Sequence, residues 1–273
     1  MPDFIAADGV RIHYEDTGDG TPVLCLSGLT RNSRDFDFVA PHLDGVRLIR
    51  MDYRGRGQSD WADHATYDVT VEARDALGLL DHLGVDKAAV LGTSRGGLIA
   101  MYLGATAKDR LLGVALNDVG PVLEPAGLTA IKGYLGKNPA FATLDDAVAQ
   151  RMGDTSQFDN IPADRWKTFL GHNFVETPEG LKINYDPKLY DAVAPAFDAP
   201  PGDAWPLFDA LDGLPLAIIQ GANSDLLRPE TVDEMARRHP GAHVARVPDR
   251  GHIPFLDEPE ALAALRAWKE DLA

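Results

Sequence analysis

The chain has 273 residues, 45% of them apolar, with a formal net charge of −16 and a single cysteine. That length suits one large α/β domain carrying an insertion, and the apolar share supports a core that needs no covalent staples. The acidic balance argues against nucleic acid, whose phosphates are bound through basic patches; one cysteine cannot form an internal disulfide; and no run of about 18 uninterrupted apolar residues is present to span a membrane.

The opening segment MPDFIAADGVRIHYED lacks the basic and apolar regions of a secretory signal, so a soluble, cytoplasmic chain acting on a small molecule, with no membrane partner, is expected. Residues 10–18 alternate as an exposed antiparallel edge strand would. The runs at 22–28, 46–55, 88–94, 112–120, 216–222 and 242–252 read as strands, the first holding Cys25 as a small buried hydrophobe. Helical spacing is found over 68–83, 95–107 and 258–272, and Pro229 opens another helix. Strands alternating with helices predict a mostly parallel sheet with helices on both faces, whose ligands bind at the carboxyl ends of the strands. Residues 1–121 and 206–273 form this core. Residues 122–205 break the rhythm: helix-like, aromatic and ending in a proline-rich stretch, they read as a helical insertion lying over the carboxyl edge.

The chemistry concentrates at AAVLGTSRGGLIAMYLGA, an apolar strand, a Gly-x-Ser-x-Gly turn and an apolar helix. A serine at such a corner points off the sheet edge, and glycines two residues to either side let strand and helix converge. Of the six serines (27, 33, 59, 94, 156 and 224), only Ser94 has this setting. A serine needs a base, and the base needs an orienting carboxylate. His252, just after the last strand, is the candidate base. Two carboxylates compete: Asp225, in the loop after the strand at 216–222 and upstream of His252, is preferred, and Asp118, at the end of the strand at 112–120, is the alternative, otherwise a brace for the insertion.

These residues resemble the α/β-hydrolase superfamily, in its serine-nucleophile branch. The likeness runs through LSGLTRNSRDF (26–36), MDYRGRGQSD (51–60), GTSRGG (92–97), GANSDLLRPE (221–230) and GHIPFLDEP (251–259). It implies a mostly parallel eight-stranded sheet with helices on both faces and a helical cap. It also implies the chain order Ser94, Asp225, His252, and an oxyanion hole formed by the backbone N–H groups of Leu29 and Arg95. One departure concerns Leu29: Ser27-Gly28 stands where many relatives have His-Gly. Asp52, Arg54 and Ser59 are expected to brace their loop.

Ser94 argues against the dehalogenase and epoxide-hydrolase branches, which use aspartate at the corner. A small or medium carboxylic ester or lactone is the expected substrate. The alternatives are cleavage of carbon–carbon bonds in diketone-like ring-cleavage products and a non-catalytic ligand-binding protein. No cofactor or metal is expected, since His239 and His243 are separated by helix-breaking Pro240-Gly241. The Arg95 guanidinium either meets a substrate carboxylate or pairs with an acid near the helix start. Trp166, Phe169 and Phe174 are candidate pocket walls.

Overall fold

Alternating side chains divide one sheet between two helical layers. The computed structural model describes residues 2–199 and 202–272. Its strands are β1 (Asp3–Ile5), β2 (Arg11–Thr17), β3 (Thr21–Leu26), β4 (Val46–Met51), β5 (Ala88–Thr93), β6 (Leu111–Asn117), β7 (Phe174–Thr177), β8 (Gly180–Ile183), β9 (Leu216–Gly221) and β10 (His243–Val247). Eight of them form one sheet in the order β1-β2-β4-β3-β5-β6-β9-β10, parallel from β4 to β10. In β3, Leu24 and Leu26 face one apolar cluster while Val23 and Cys25 face the other; in β5, Val90 opposes Ala89 and Leu91. This is the two-residue period of an extended chain, apolar on both faces because helices cover both.

The first layer packs α1 (Val69–His82) and α2 (Arg95–Thr106) against the sheet through Ala76, Leu79, Ile99 and Leu103. The second packs Leu265 and Trp268 against it from the last helix of the chain. Asp68 caps α1 by accepting from the Thr70 N–H at 2.8 Å, satisfying one of the donors a helix start leaves open.

The segment expected to be the exposed edge is not the edge. β2 pairs antiparallel with β4 on one side and with β1 on the other, from Asp3↔His13 to Ile5↔Arg11. Three residues are too few for alternation to announce a strand, so β1 left no signal.

Between β6 and β9 the chain forms α3 (Pro125–Tyr134), α4 (Leu144–Gly153), α5 (Ala163–Gly171) and α6 (Leu189–Asp198). It also forms an antiparallel hairpin, β7–β8, that the helical reading of 122–205 did not include. Pro200 and Pro201, in the proline-rich end of this segment, lie outside the described residues. The segment has its own cluster, including Val148, Phe158, Trp166, Phe169 and Leu181, into which Phe255 of the core inserts. It is followed by α7 (Trp205–Asp209), α8 (Pro229–Arg238) and α9 (Pro259–Glu270), the last carrying Leu265 and Trp268. No described helix is long and apolar enough to cross a membrane.

The tightest helix–sheet approach is at Gly96, where a Cβ would lie 1.9 Å from the Leu26 carbonyl oxygen. Gly96→Ala is expected to lose about 3 kcal/mol or more of unfolding free energy, because backbone rather than a flexible side chain must yield. Gly133→Ala, on α3 with nothing within 4 Å of the new methyl, is expected to be neutral or to gain up to about 1 kcal/mol. Urea denaturation of the two variants checks both.

Candidate active site

Close packing at the β5–α2 corner dictates where Ser94 points. A Cβ on Gly92 would lie 2.6 Å from the Gly96 carbonyl carbon, and one on Gly97 would lie 2.3 Å from Val119 Cγ1. With strand and helix so close, the residue at the apex is driven to φ 50° and ψ −112°. Such a conformation in a non-glycine residue stores about 1–3 kcal/mol of strain. The Ser94 N–H donates to the Asn117 carbonyl at 2.9 Å, tying the apex to β6.

His252 reaches the apex from the loop after β10. Its Nε2 lies 3.0 Å from Ser94 Oγ and its Nδ1 lies 2.7 Å from Asp118 Oδ2. With Nδ1–H donated to the carboxylate, Nε2 faces the serine hydroxyl as an acceptor. Asp118 is fully buried. Its Oδ1 accepts from the Gly221 N–H at 2.8 Å, and its Oδ2 also accepts from the Ser224 hydroxyl at 2.6 Å.

The carboxylate beside His252 is therefore Asp118 and not Asp225, which corrects the preference drawn from chain order. The reason is strand order. β6 lies next to β5, while β9 is one strand further out, a lateral step of about 4.8 Å. Asp118 directly ends β6, and φ 53° swings it toward the imidazole. The Asp225 loop contributes its neighbour Ser224, which holds Asp118. The Asp225 carbonyl accepts from the Gly127 N–H at 3.0 Å, and its side chain acts on Tyr134.

Arg95 is the first residue of α2, so its N–H has no intrahelical acceptor. A Cβ on Gly28 would lie 3.9 Å from Ser94 Cβ, which puts the Gly28–Leu29 peptide beside Ser94. That loop is held from behind. The Leu29 carbonyl accepts from Arg56 Nε at 3.0 Å, and the Ser27 carbonyl accepts from the Gly96 N–H at 3.0 Å and the Tyr53 hydroxyl at 3.1 Å.

The Arg95 guanidinium is held by the protein itself. Its Nε donates to Glu72 at 2.8 Å and its Nη2 to the Tyr67 carbonyl at 3.1 Å. Glu72 also pairs with the buried Arg56 at 2.9 Å. The side chain thus pairs with an acid, the second of the two roles expected of it. Trp166 and Phe169 are buried in the insertion's aromatic cluster, where they meet edge-on at 5.8 Å, and Phe174 packs beside them. Sequence reasoning passed over Glu72, Arg56 and Ser224 because no motif singles out residues that act on the site through others. Asp52 and Ser59 tie down their loop as expected, Asp52 accepting from the Ser33 N–H at 2.7 Å and Ser59 donating to the Asp52 carbonyl at 2.7 Å. Among the described residues, no group of three or more His, Cys, Asp or Glu side chains could hold a metal ion.

His172 marks the seam between insertion and core. Its carbonyl accepts from Asn32 Nδ2 at 2.7 Å, and its ring stacks on Phe38. Burial first, then Arg34, pulls its pKa down to about 4. An imidazole held neutral in the fold and free to protonate when unfolded adds stability above pH ~6.5 that is lost as pH falls toward 4. Lowering pH from 7.5 to 4.5 should therefore destabilise the wild type by roughly 2–3 kcal/mol more than His172→Gln. Urea midpoints at the two pH values measure this.

A family model described as "Alpha/beta hydrolase family" matches residues 23–265. The chain is similar to the 3-hydroxybutyrate-oligomer hydrolase of Cupriavidus necator, at 37% identity over 268 residues, 93% of this chain and 90% of that protein. It is also similar to the crystal structure of an alpha/beta hydrolase from Novosphingobium aromaticivorans. The two share 37% identity with a TM-score of 0.90, covering 99% of this chain and 97% of that one. An esterase from Exiguobacterium antarcticum shares the fold at 23% identity, with a TM-score of 0.75 over 98% of both chains.

Proposed function

The chain belongs to the alpha/beta hydrolase family and is an enzyme with hydrolase activity, and from that premise we propose that it cleaves carboxylic esters through an acyl-enzyme formed on Ser94. The observation that carries the proposal is the single imidazole hydrogen-bonded to Ser94 on one side and to the buried Asp118 on the other.

In this reading His252 Nε2 takes the hydroxyl proton as Ser94 Oγ attacks the ester carbonyl. Asp118 stabilises the resulting imidazolium through Nδ1, its charge already organised by Gly221 and Ser224. The developing oxyanion rests on the N–H groups of Leu29 and Arg95, a pair worth several kcal/mol in the transition state. The departing alcohol takes the proton from His252, and water repeats the sequence to release the acid. Similarity over most of its length to a hydrolase of 3-hydroxybutyrate oligomers supports short oligoesters of a hydroxy acid as the substrate class, ahead of carbon–carbon cleavage.

A fluorophosphonate probe should label the wild type and leave Ser94→Ala unmodified; failure of the wild type to react would remove the serine-hydrolase reading. With p-nitrophenyl butyrate, Asp118→Asn should lower kcat by roughly 10³–10⁴, whereas Asp225→Asn should stay within about tenfold. Equal losses would contradict the assignment of Asp118.

A further inference from the structure

We infer that Arg31 and Arg151 form a carboxylate-binding subsite beside Ser94, so that the preferred esters carry a free acid group a few bonds from the scissile carbonyl. The inference rests on the ester-hydrolase reading and specifies its substrate. Arg31 leaves the loop after β3 on the side of the nucleophile. A Cβ placed on Gly28 would be 3.1 Å from Arg31 Cγ and 3.9 Å from Ser94 Cβ, so the arginine stem and the serine flank one point. The Arg31 guanidinium lies 4.1 Å over the Phe169 ring. Arg151, in the last turn of α4, lies 4.8 Å over Trp166 and 5.5 Å over Phe158. The two cations thus rest on adjoining rings of one cluster. Trp166 and Phe169 are platforms for the arginines more than walls for a ligand.

Tyr134, at the end of α3, is close to both. It keeps 51% of its surface accessible, yet the protein crowded around it pushes its phenol above the ordinary value. Arg31, a Thr30 hydrogen bond and Arg151 pull the other way, and Asp225 adds to the rise. Tyr134 is thus a partly open side chain within electrostatic reach of both arginines.

The charges around these two arginines do not balance. Arg31 lies 3.3 Å from Asp35, which offsets it. Arg151 has no carboxylate at ion-pair distance among the described residues. Burial and then Arg31 hold its guanidinium below the ordinary value, and Asp154 acts only from further away. Aromatic faces orient a cation without neutralising it. A half-buried guanidinium crowded by another cation is costly unless an anion arrives, and the planar fork of arginine matches a carboxylate.

The test compares the linear dimer of 3-hydroxybutyrate with its neutral C-terminal amide. Wild type should favour the acid by about tenfold or more in kcat/KM. Arg151→Met and Arg31→Met should each remove most of that preference, mainly through KM, while Arg151→Lys keeps part of it; melting temperatures report whether each variant is folded. Acid and amide losing equally in Arg151→Met, or Lys and Met behaving alike, would show a packing residue and overturn the subsite. Calorimetric titration with 3-hydroxybutyrate reads the subsite without turnover. Binding should weaken about tenfold in Arg151→Met, and no binding to wild type would overturn the inference. Absence of turnover of the dimer, the amide and p-nitrophenyl butyrate alike, with binding intact, would instead discard the ester reading alone.

Discussion

The contact between Gly96 and the Leu26 carbonyl is the constraint from which the rest of the site follows. A helix can come this near a parallel sheet only where side chains are missing, and Gly92, Gly96 and Gly97 supply the gap. The approach compresses the turn and leaves Ser94 at positive φ, so the hydroxyl must stand clear of both elements. The same approach aims the start of α2 at the loop after β3. It therefore brings the free N–H of Arg95 and the Leu29 peptide to one side of the nucleophile. One close contact sets the position of Ser94 and of these two peptide groups together.

Buried ions then hold that corner. Glu72 joins Arg56 to Arg95, and Arg56 in turn holds the Leu29 carbonyl. Pairs of this kind add little net stability, since desolvation offsets most of their attraction, but a broken pair leaves an uncompensated charge. Their effect here is geometric: the α2 start and the Leu29 loop are tied through one carboxylate. This explains why the Arg95 guanidinium, next to Ser94, turns to Glu72 and the Tyr67 carbonyl.

The legible parts of the sequence were those whose signal is local. The β5–α2 corner and His252 beside Gly251 each depend on a few consecutive residues with a physical reason to be there. So do the strands β3 to β6 and the helices flanking them. What sequence could not convey was lateral order. Asp118 directly follows β6 and Asp225 lies in the loop after β9, both at the carboxyl edge, and the order β5-β6-β9 is not written in either neighbourhood. Arg31 and Arg151 lie 120 positions apart in sequence, and nothing in either neighbourhood signals that they share an aromatic platform. The hairpin β7–β8 and the strand β1 escaped for a different reason: elements of three or four residues have no room for periodicity.

The insertion also packs against the segment that carries His252. The segment carrying His252 is squeezed between β9 and the insertion. A Cβ on Gly221 would lie 2.4 Å from the Gly251 carbonyl oxygen, and one on Gly251 would lie 2.6 Å from Gln157 Cβ. Three residues beyond His252, Phe255 packs on Phe169 at 5.0 Å and on Trp166 at 5.9 Å, while its N–H donates to Glu258 at 3.1 Å. The rings that position the base are thus the rings beneath Arg31 and Arg151. A ligand that draws the two guanidinium groups together would press on the platform that sets the distance between His252 and Ser94. On the proposed subsite, substrate recognition and the placement of His252 would share one set of aromatic contacts.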